Sequence, residues 1–147
     1  MMRKYYLFII RNDFCEVYKN NTHTLYVTLE NIYKLKNRNF DYGISIYNQL
    51  CQVFNTDVID NYLSNKSNKY IKKYYNKFFI NDVYAKQKTC IQVNHSCIVI
   101  KTNSNIPYAL RIFKWYSNNI FVCDFANNDY FWLNDYVGHL PKYEYCL

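Results

Sequence analysis

The run Tyr5-Tyr6-Leu7-Phe8-Ile9-Ile10, closed by Arg11, constrains the chain more than any other stretch. Six consecutive aromatic or apolar residues are too few to cross a bilayer, and their composition fits a strand buried on both faces. Such a strand belongs in the middle of a sheet. The polar residues after it start a short helix: Asp13 is placed to accept from free backbone N–H groups, and Glu16, three residues on, completes a capping-box spacing. That helix sets Phe14 and Tyr18 on one face. At about two turns it depends on docking to the sheet rather than on propensity.

At 147 residues the chain is one domain's worth, enough to bury about two thirds of its extended surface. Its six cysteines, Cys15, Cys51, Cys90, Cys97, Cys123 and Cys146, include no CxxC pair, and the apolar run after Arg3-Lys4 is shorter than a secretory core. The expected compartment is therefore reducing cytoplasm, with thiols acting as small hydrophobes and no membrane segment. A net charge of +7 points toward an acidic partner. The abundance of Asn, Lys, Tyr and Ile, however, is what an AT-rich genome encodes, so part of that basicity carries no functional message. Two glycines and two prolines leave no material for a Gly-rich phosphate loop, which excludes nucleotide enzymes of the P-loop and dinucleotide types.

Along the chain, Asn20-Asn21-Thr22 is a turn, Thr24 to Thr28 is extended or helical, and Leu29 to Leu35 is a helical segment broken at Asn37-Arg38-Asn39. A better-defined helix runs from about Ile44 to Phe54. Its apolar face carries Ile46, Tyr47, Leu50, Val53 and Phe54, and its polar face of Ser45, Asn48, Gln49 and Gln52 has no charge. Low charge density explains that face, and so does a rim that loses water on binding. Asn55-Thr56-Asp57 caps a short helix over Val58 to Leu63.

Lys66 to Phe79 is the most basic piece. At helical spacing Lys66, Lys69, Lys73 and Lys77 share one face, with Ile71, Tyr74, Tyr75 and Phe78 opposite. Aromatics that stack on bases lie beside the lysines that hold phosphates, and this segregation argues against direct nucleic-acid binding. From Asp82 the period changes. Val83 to Thr89, Cys90 to Val93 and Cys97 to Ile100 are strands, the last two joined by a tight turn at Asn94-His95-Ser96, and the unbroken apolar run Cys97 to Ile100 belongs in the middle of the sheet. Asn103 to Asn105 caps a helix with Pro107 in its first turn and Ile106, Ala109, Leu110 and Phe113 as its buried stripe. Ile120 to Phe125 and Tyr130 to Leu133 form a second hairpin. The expected fold is α+β: a single domain with a mainly antiparallel sheet of about five strands covered by helices, the amino-terminal strand inserted between later ones.

No catalytic set emerges. His23, His95 and His139 are far apart, without metal-ligand spacing. No cysteine has a sequence neighbour that would lower its pKa. Asp124 and Asp129 bracket a turn whose polar residues are explained by backbone hydrogen bonding. The expectation is a protein without catalytic residues, metal or cofactor.

Two stretches are more specific. Met-x-Arg-x-Tyr-Tyr-x-x-x-Ile from Met1 to Ile10, with Phe14 and Tyr18 following, together with Asp124-Phe125 and Tyr130-x-Trp132-Leu133-Asn134, resemble the SirA family of sporulation inhibitors of DNA replication. The likeness covers roughly the first twenty residues and the Phe121 to Asn134 hairpin. It departs where Asp135 stands in place of the proline that usually follows Trp-Leu-Asn.

The resemblance implies one SirA-like domain over residues 1–147. It implies a monomeric cytoplasmic protein of an endospore-forming bacterium that binds the amino-terminal domain of the initiator DnaA and blocks new rounds of replication as sporulation begins. It places Phe14 and Tyr18 in the DnaA-binding surface. A second helix supplies a polar residue and an aromatic, which fall at Asn48 and Cys51; Cys51 is not aromatic, and Gln52 or Tyr47 stands as its substitute. The alternative from the residues alone is a basic nucleic-acid-binding module built on the Lys66–Lys77 helix.

Overall fold

The computed structural model describes residues 2–35, 40–65, 71–82, 86–104 and 109–136. Strand β1 (Arg3–Ile10) leads into helices α1 (Asn12–Tyr18), α2 (Thr22–Lys34) and α3 (Phe40–Leu50). The two-residue strand β2 (Cys51–Gln52) and helix α4 (Thr56–Asn65) follow. Four strands come next: β3 (Ile71–Tyr74), β4 (Lys77–Asp82), β5 (Gln87–Val93) and β6 (Ile98–Thr102). Helix α5 (Ala109–Ile112) continues into a 3₁₀ turn at Phe113–Trp115, and the described chain closes with β7 (Ile120–Asp124), β8 (Asp129–Trp132) and the single turn α6 (Leu133–Tyr136).

The strands form one sheet in the order β3-β4-β5-β6-β1-β7-β8, with β2 also paired to β1. Every described pairing is antiparallel. As the sequence predicts, β1 lies inside the sheet between β6 and β7. The period of two along β1 sends Tyr5, Leu7 and Ile9 to one face, and Phe8 and Ile10 to the other. Each set sits in its own core. The larger core gathers Phe54, Ile59 and Leu63 from around α4, Leu110 from α5, and Phe78, Ile91, Ile100 and Val122 from the sheet. The smaller one gathers Leu25, Tyr26 and Leu29 of α2, Leu50 and Cys51, with Phe121 and Cys123 of β7. The result is an α+β fold with helices on both faces of an antiparallel sheet.

Among the described residues the sheet has eight strands rather than about five. The extra ones are β2, β3 and β4. The Lys66–Lys77 helix is not formed: 66–70 lie outside the described residues, and 71–82 form a hairpin in which Lys72 opposes Phe79 and Tyr74 opposes Lys77. An i, i+4 run of lysines is also compatible with a strand, and pairing of β4 along all of Lys77–Asp82 with β5 decides the matter. The turn uses Tyr75 at φ 56°, and Asn76 ties it down by donating from Nδ2 to the Val93 carbonyl at 3.2 Å.

Two helix boundaries also differ. Residues 22–34 form one continuous helix, because Leu25, Tyr26 and Leu29 dock as a stripe on the sheet. The next helix ends at Leu50 rather than near Phe54, since Cys51 and Gln52 pair with Ile10 and Ile9. Gly43 lies in the packed start of that helix, where a Cβ would come within 2.7 Å of Leu35 Cδ1. The cap of α4 is as expected: Val58 N–H donates to Asn55 Oδ1 at 3.2 Å. Both sequence-predicted hairpins, β5–β6 and β7–β8, are present. Val83 to Ala85, Ile106, Pro107, His139 and Cys146 lie outside the described residues.

Candidate protein-docking surface

Helix α1 starts where β1 stops. Arg11 occupies the N-cap with extended backbone and no side-chain cap, so the capping box expected from Asp13 and Glu16 is not used. Tertiary contacts set the start instead. Arg11 N–H donates to the Leu50 carbonyl at 2.9 Å, its Nε donates to the Asn48 carbonyl at 2.9 Å, and Asn119 Nδ2 donates to Asn12 Oδ1. At the other end Asn21 closes the helix, donating from its backbone N–H to the Tyr18 carbonyl at 3.1 Å and from Nδ2 to the Val17 carbonyl at 3.2 Å. These bonds satisfy carbonyls that a helix end leaves without partners.

No residue of α1 is fully buried. Phe14 and Tyr18, one turn apart, stack at 6.3 Å between ring centroids and 28° between planes. Each is half-buried, one side against the smaller core and the other toward solvent. Val17, between them in sequence, is 55% exposed. Sequence reasoning passed over it, although a valine three residues from Phe14 in so short a helix is the available signal.

Asn48 lies in the last turn of α3 with its side chain exposed. The bond from Arg11 to its carbonyl holds that turn next to the start of α1, so Phe14, Tyr18 and Asn48 belong to neighbouring elements. Cys51 does not join them. It is 1% exposed, opposite Ile10 and inside the smaller core; the chain has already changed from helix to strand, and the period of two turns this residue inward. Gln52 is exposed but opposes Ile9, which by strand alternation directs it to the other side of the sheet from Cys51. Tyr47, the other substitute, packs half-buried against the smaller core, and its hydroxyl donates to the Ser96 carbonyl at 2.6 Å.

The thiols near this surface are held neutral. Burial, with the nearby Glu16 carboxylate, pushes Cys15 up, and its Sγ lies 3.5 Å from the Ile10 carbonyl. Burial pushes Cys51 up to about 12, against a smaller opposing pull from Arg11. Cys97 moves in the same direction, again through burial. A nucleophilic thiol needs the opposite shift. Among the described residues, no group of three or more His, Cys, Asp or Glu side chains is arranged to hold a metal ion.

The fold also joins two residues that sequence reasoning kept apart. Arg3 Nη2 reaches Asp124 Oδ2 at 2.8 Å and Asp129 Oδ2 at 3.1 Å. Asp124 is therefore not simply a turn residue: it is a buried carboxylate at the end of β7, held by the cation that opens β1. An acidic residue ending the apolar run from Ile120 was the signal. Nearby, Tyr6 packs on Phe125 at 5.2 Å, and Trp132 meets Phe121 edge-on at 5.0 Å. Among the described residues, no helix is long and apolar enough to cross a membrane. No protein-family model matches the chain, and no curated protein matches it in sequence.

Proposed function

We propose that this protein is a non-catalytic inhibitor of replication initiation, acting in the cytoplasm at the onset of sporulation. On this reading α1 docks on the amino-terminal domain of the initiator DnaA and prevents its productive assembly at the origin, as the resemblance to the SirA family implies. The observation that carries the reading is the Phe14–Tyr18 stack on a helix without a fully buried residue. Two rigid rings, already ordered by the core and still open on one side, present apolar area to a partner at little further entropic cost. Exposed Val17 and Asn48 supply the apolar and uncharged polar contacts expected around such an anchor. The motif stretches behind the resemblance are also contiguous in space, through Arg3 with Asp124 and Tyr6 with Phe125.

The test is calorimetric titration of the isolated DnaA amino-terminal domain with the wild type, Phe14→Ala and Tyr18→Ala. Each truncation should weaken binding by about 2 kcal/mol, roughly thirtyfold, while the circular dichroism spectrum stays that of the wild type. Folded variants that bind as tightly as the wild type would remove α1 from the interface. Failure of the wild type to bind would remove DnaA as the partner.

A further inference from the structure

The helices do not cover the sheet evenly. On the side of the smaller core, α2 and Leu50 of α3 pack against β1 and β7. Among the described residues, none from β3, β4 or β5 belongs to that core. The strand register shows what that half-sheet presents. One cross-strand row runs Lys72, Phe79, Cys90, Lys101, Lys4. The next runs Tyr74, Lys77, Gln92, Val99 and continues to Tyr6 under α2. Lys88 opposes Asn81 one step further along.

This floor is basic and aromatic together. Phe79 is 45% exposed and Tyr74 64% exposed. Tyr75 stands edge-on to Tyr74 at 4.6 Å, at the rim. The ammonium groups of Lys77 and Lys101 both act on the Cys90 thiol, each drawing its pKa down against burial, so the two cations flank the patch from neighbouring rows. The described strand residues pointing to this side of β3, β4, β5 and β6 include no carboxylate. The row from Lys72 to Lys4 crosses four strand spacings, about 19 Å.

The geometry points to a single-stranded polynucleotide as the ligand of this half-sheet, with Phe79 and Tyr74 as stacking platforms and Lys72, Lys77 and Lys101 taking the phosphates. Like charges lined up on an open sheet repel one another, and a polyanion laid across them removes that repulsion. Exposed rings between the cations give unpaired bases a flat surface, which a duplex with its bases stacked inside cannot use. The helical spacing that segregated lysines from aromatics does not apply here, because β3 and β4 are strands and the period of two intermixes them. The site is separate from the α1 surface and does not rest on the DnaA reading.

The experiment is fluorescence anisotropy of the full chain with labelled oligothymidylate, oligouridylate and a DNA duplex of equal length. Binding to either single strand supports the proposal, and the tighter of the two identifies DNA or RNA as the source. With Lys4 and Lys88 of the same face joining Lys72, Lys77 and Lys101, about five phosphates are neutralised, and affinity should fall roughly a hundredfold between about 50 and 200 mM salt. Phe79→Ala, which opens no core, should weaken binding about tenfold without changing the salt slope. Lys77→Gln combined with Lys101→Gln should make the slope shallower by about 1.4. Lys114→Gln, exposed in the 3₁₀ turn after α5, should leave both unchanged. No binding at low salt, a duplex bound as tightly as the single strands, or a Phe79→Ala variant equal to wild type would each overturn the proposal.

Discussion

Replacing Arg3 by Met removes the cation from the Arg3–Asp124 pair while keeping most of the side-chain stem. In the native protein Arg3 Nε and Nη2 lie 2.9 and 2.8 Å from Asp124 Oδ2, and the Asp124 side chain is 1% exposed. Its other oxygen, Oδ1, has no hydrogen-bond partner among the described residues. After the substitution, the described donor that remains to Oδ2 is Asn127 Nδ2 at 2.7 Å. Leaving one buried charge without its counter-charge costs about 3–5 kcal/mol. Arg3 keeps 15% of its side chain in solvent and the Asn127 amide persists, so the expected loss is about 3 kcal/mol, at the lower end of that range. Urea unfolding measures it: with a slope near 2 kcal/mol per M, the midpoint should fall by about 1.5 M. Asp129→Asn is the matched control. That carboxylate is 49% exposed, and its loss should cost less than about 1 kcal/mol. An Arg3→Met variant within about 1 kcal/mol of wild type would mean that the guanidinium does not hold Asp124 in the interior.

Asn55→Ala removes the side-chain acceptor for Val58 N–H and should cost about 1 kcal/mol in the same titration, with no change in slope. Timed alkylation with peptide mapping should label Cys15 and Cys90, both half-buried, before Cys51 and Cys123, which are buried. Cys51 also predicts alkaline destabilisation, because its thiol is raised from an ordinary value of 9.0 to about 12 in the folded protein. Above about pH 9 the unfolded chain releases that proton while the folded one retains it. Stability from this group is therefore intact below about pH 9 and declines toward pH 12, by about 1.4 kcal/mol per unit. Cys51→Ala should flatten the decline, and an unchanged pH slope in that variant would refute the assignment.

How much of this was legible from residues alone depended on whether the local pattern admitted one period or two. Tyr5 to Ile10 and Cys97 to Ile100 are unbroken apolar runs of strand length, so their burial in the middle of the sheet could be read directly. Asn94-His95-Ser96 and Asn127-Asn128-Asp129 are turn-forming clusters between such runs, and both hairpins followed. Lys66 to Phe79 admitted two periods. Its lysines recur at helical spacing, its turn has Tyr75 where a glycine would have announced a left-handed residue, and the pairing that holds β4 in the sheet along its whole length is with β5, a later stretch of the chain. Residues 22–34 presented the converse case: Thr, Asn and Val give weak helix propensity, and docking of Leu25, Tyr26 and Leu29 supplies what propensity does not.

The candidate site divides in the same way. That Phe14 and Tyr18 share one face follows from helical geometry and needed no coordinates. Whether those rings are core or surface did, because the answer depends on how far α1 sinks onto the sheet, and that depth is fixed by the bonds of Arg11 to Asn48 and Leu50 of α3 and of Asn12 to Asn119 before β7. Cys51 and Gln52 are adjacent in the chain yet face opposite sides once β2 pairs with β1. The sequence by itself determined the two periodicities, and with them a buried central strand and an aromatic pair one turn apart. Which side of each element meets water was decided only by the tertiary structure, since burial is a property of the neighbours a residue acquires, and the strands on either side of β1 come from distant parts of the chain.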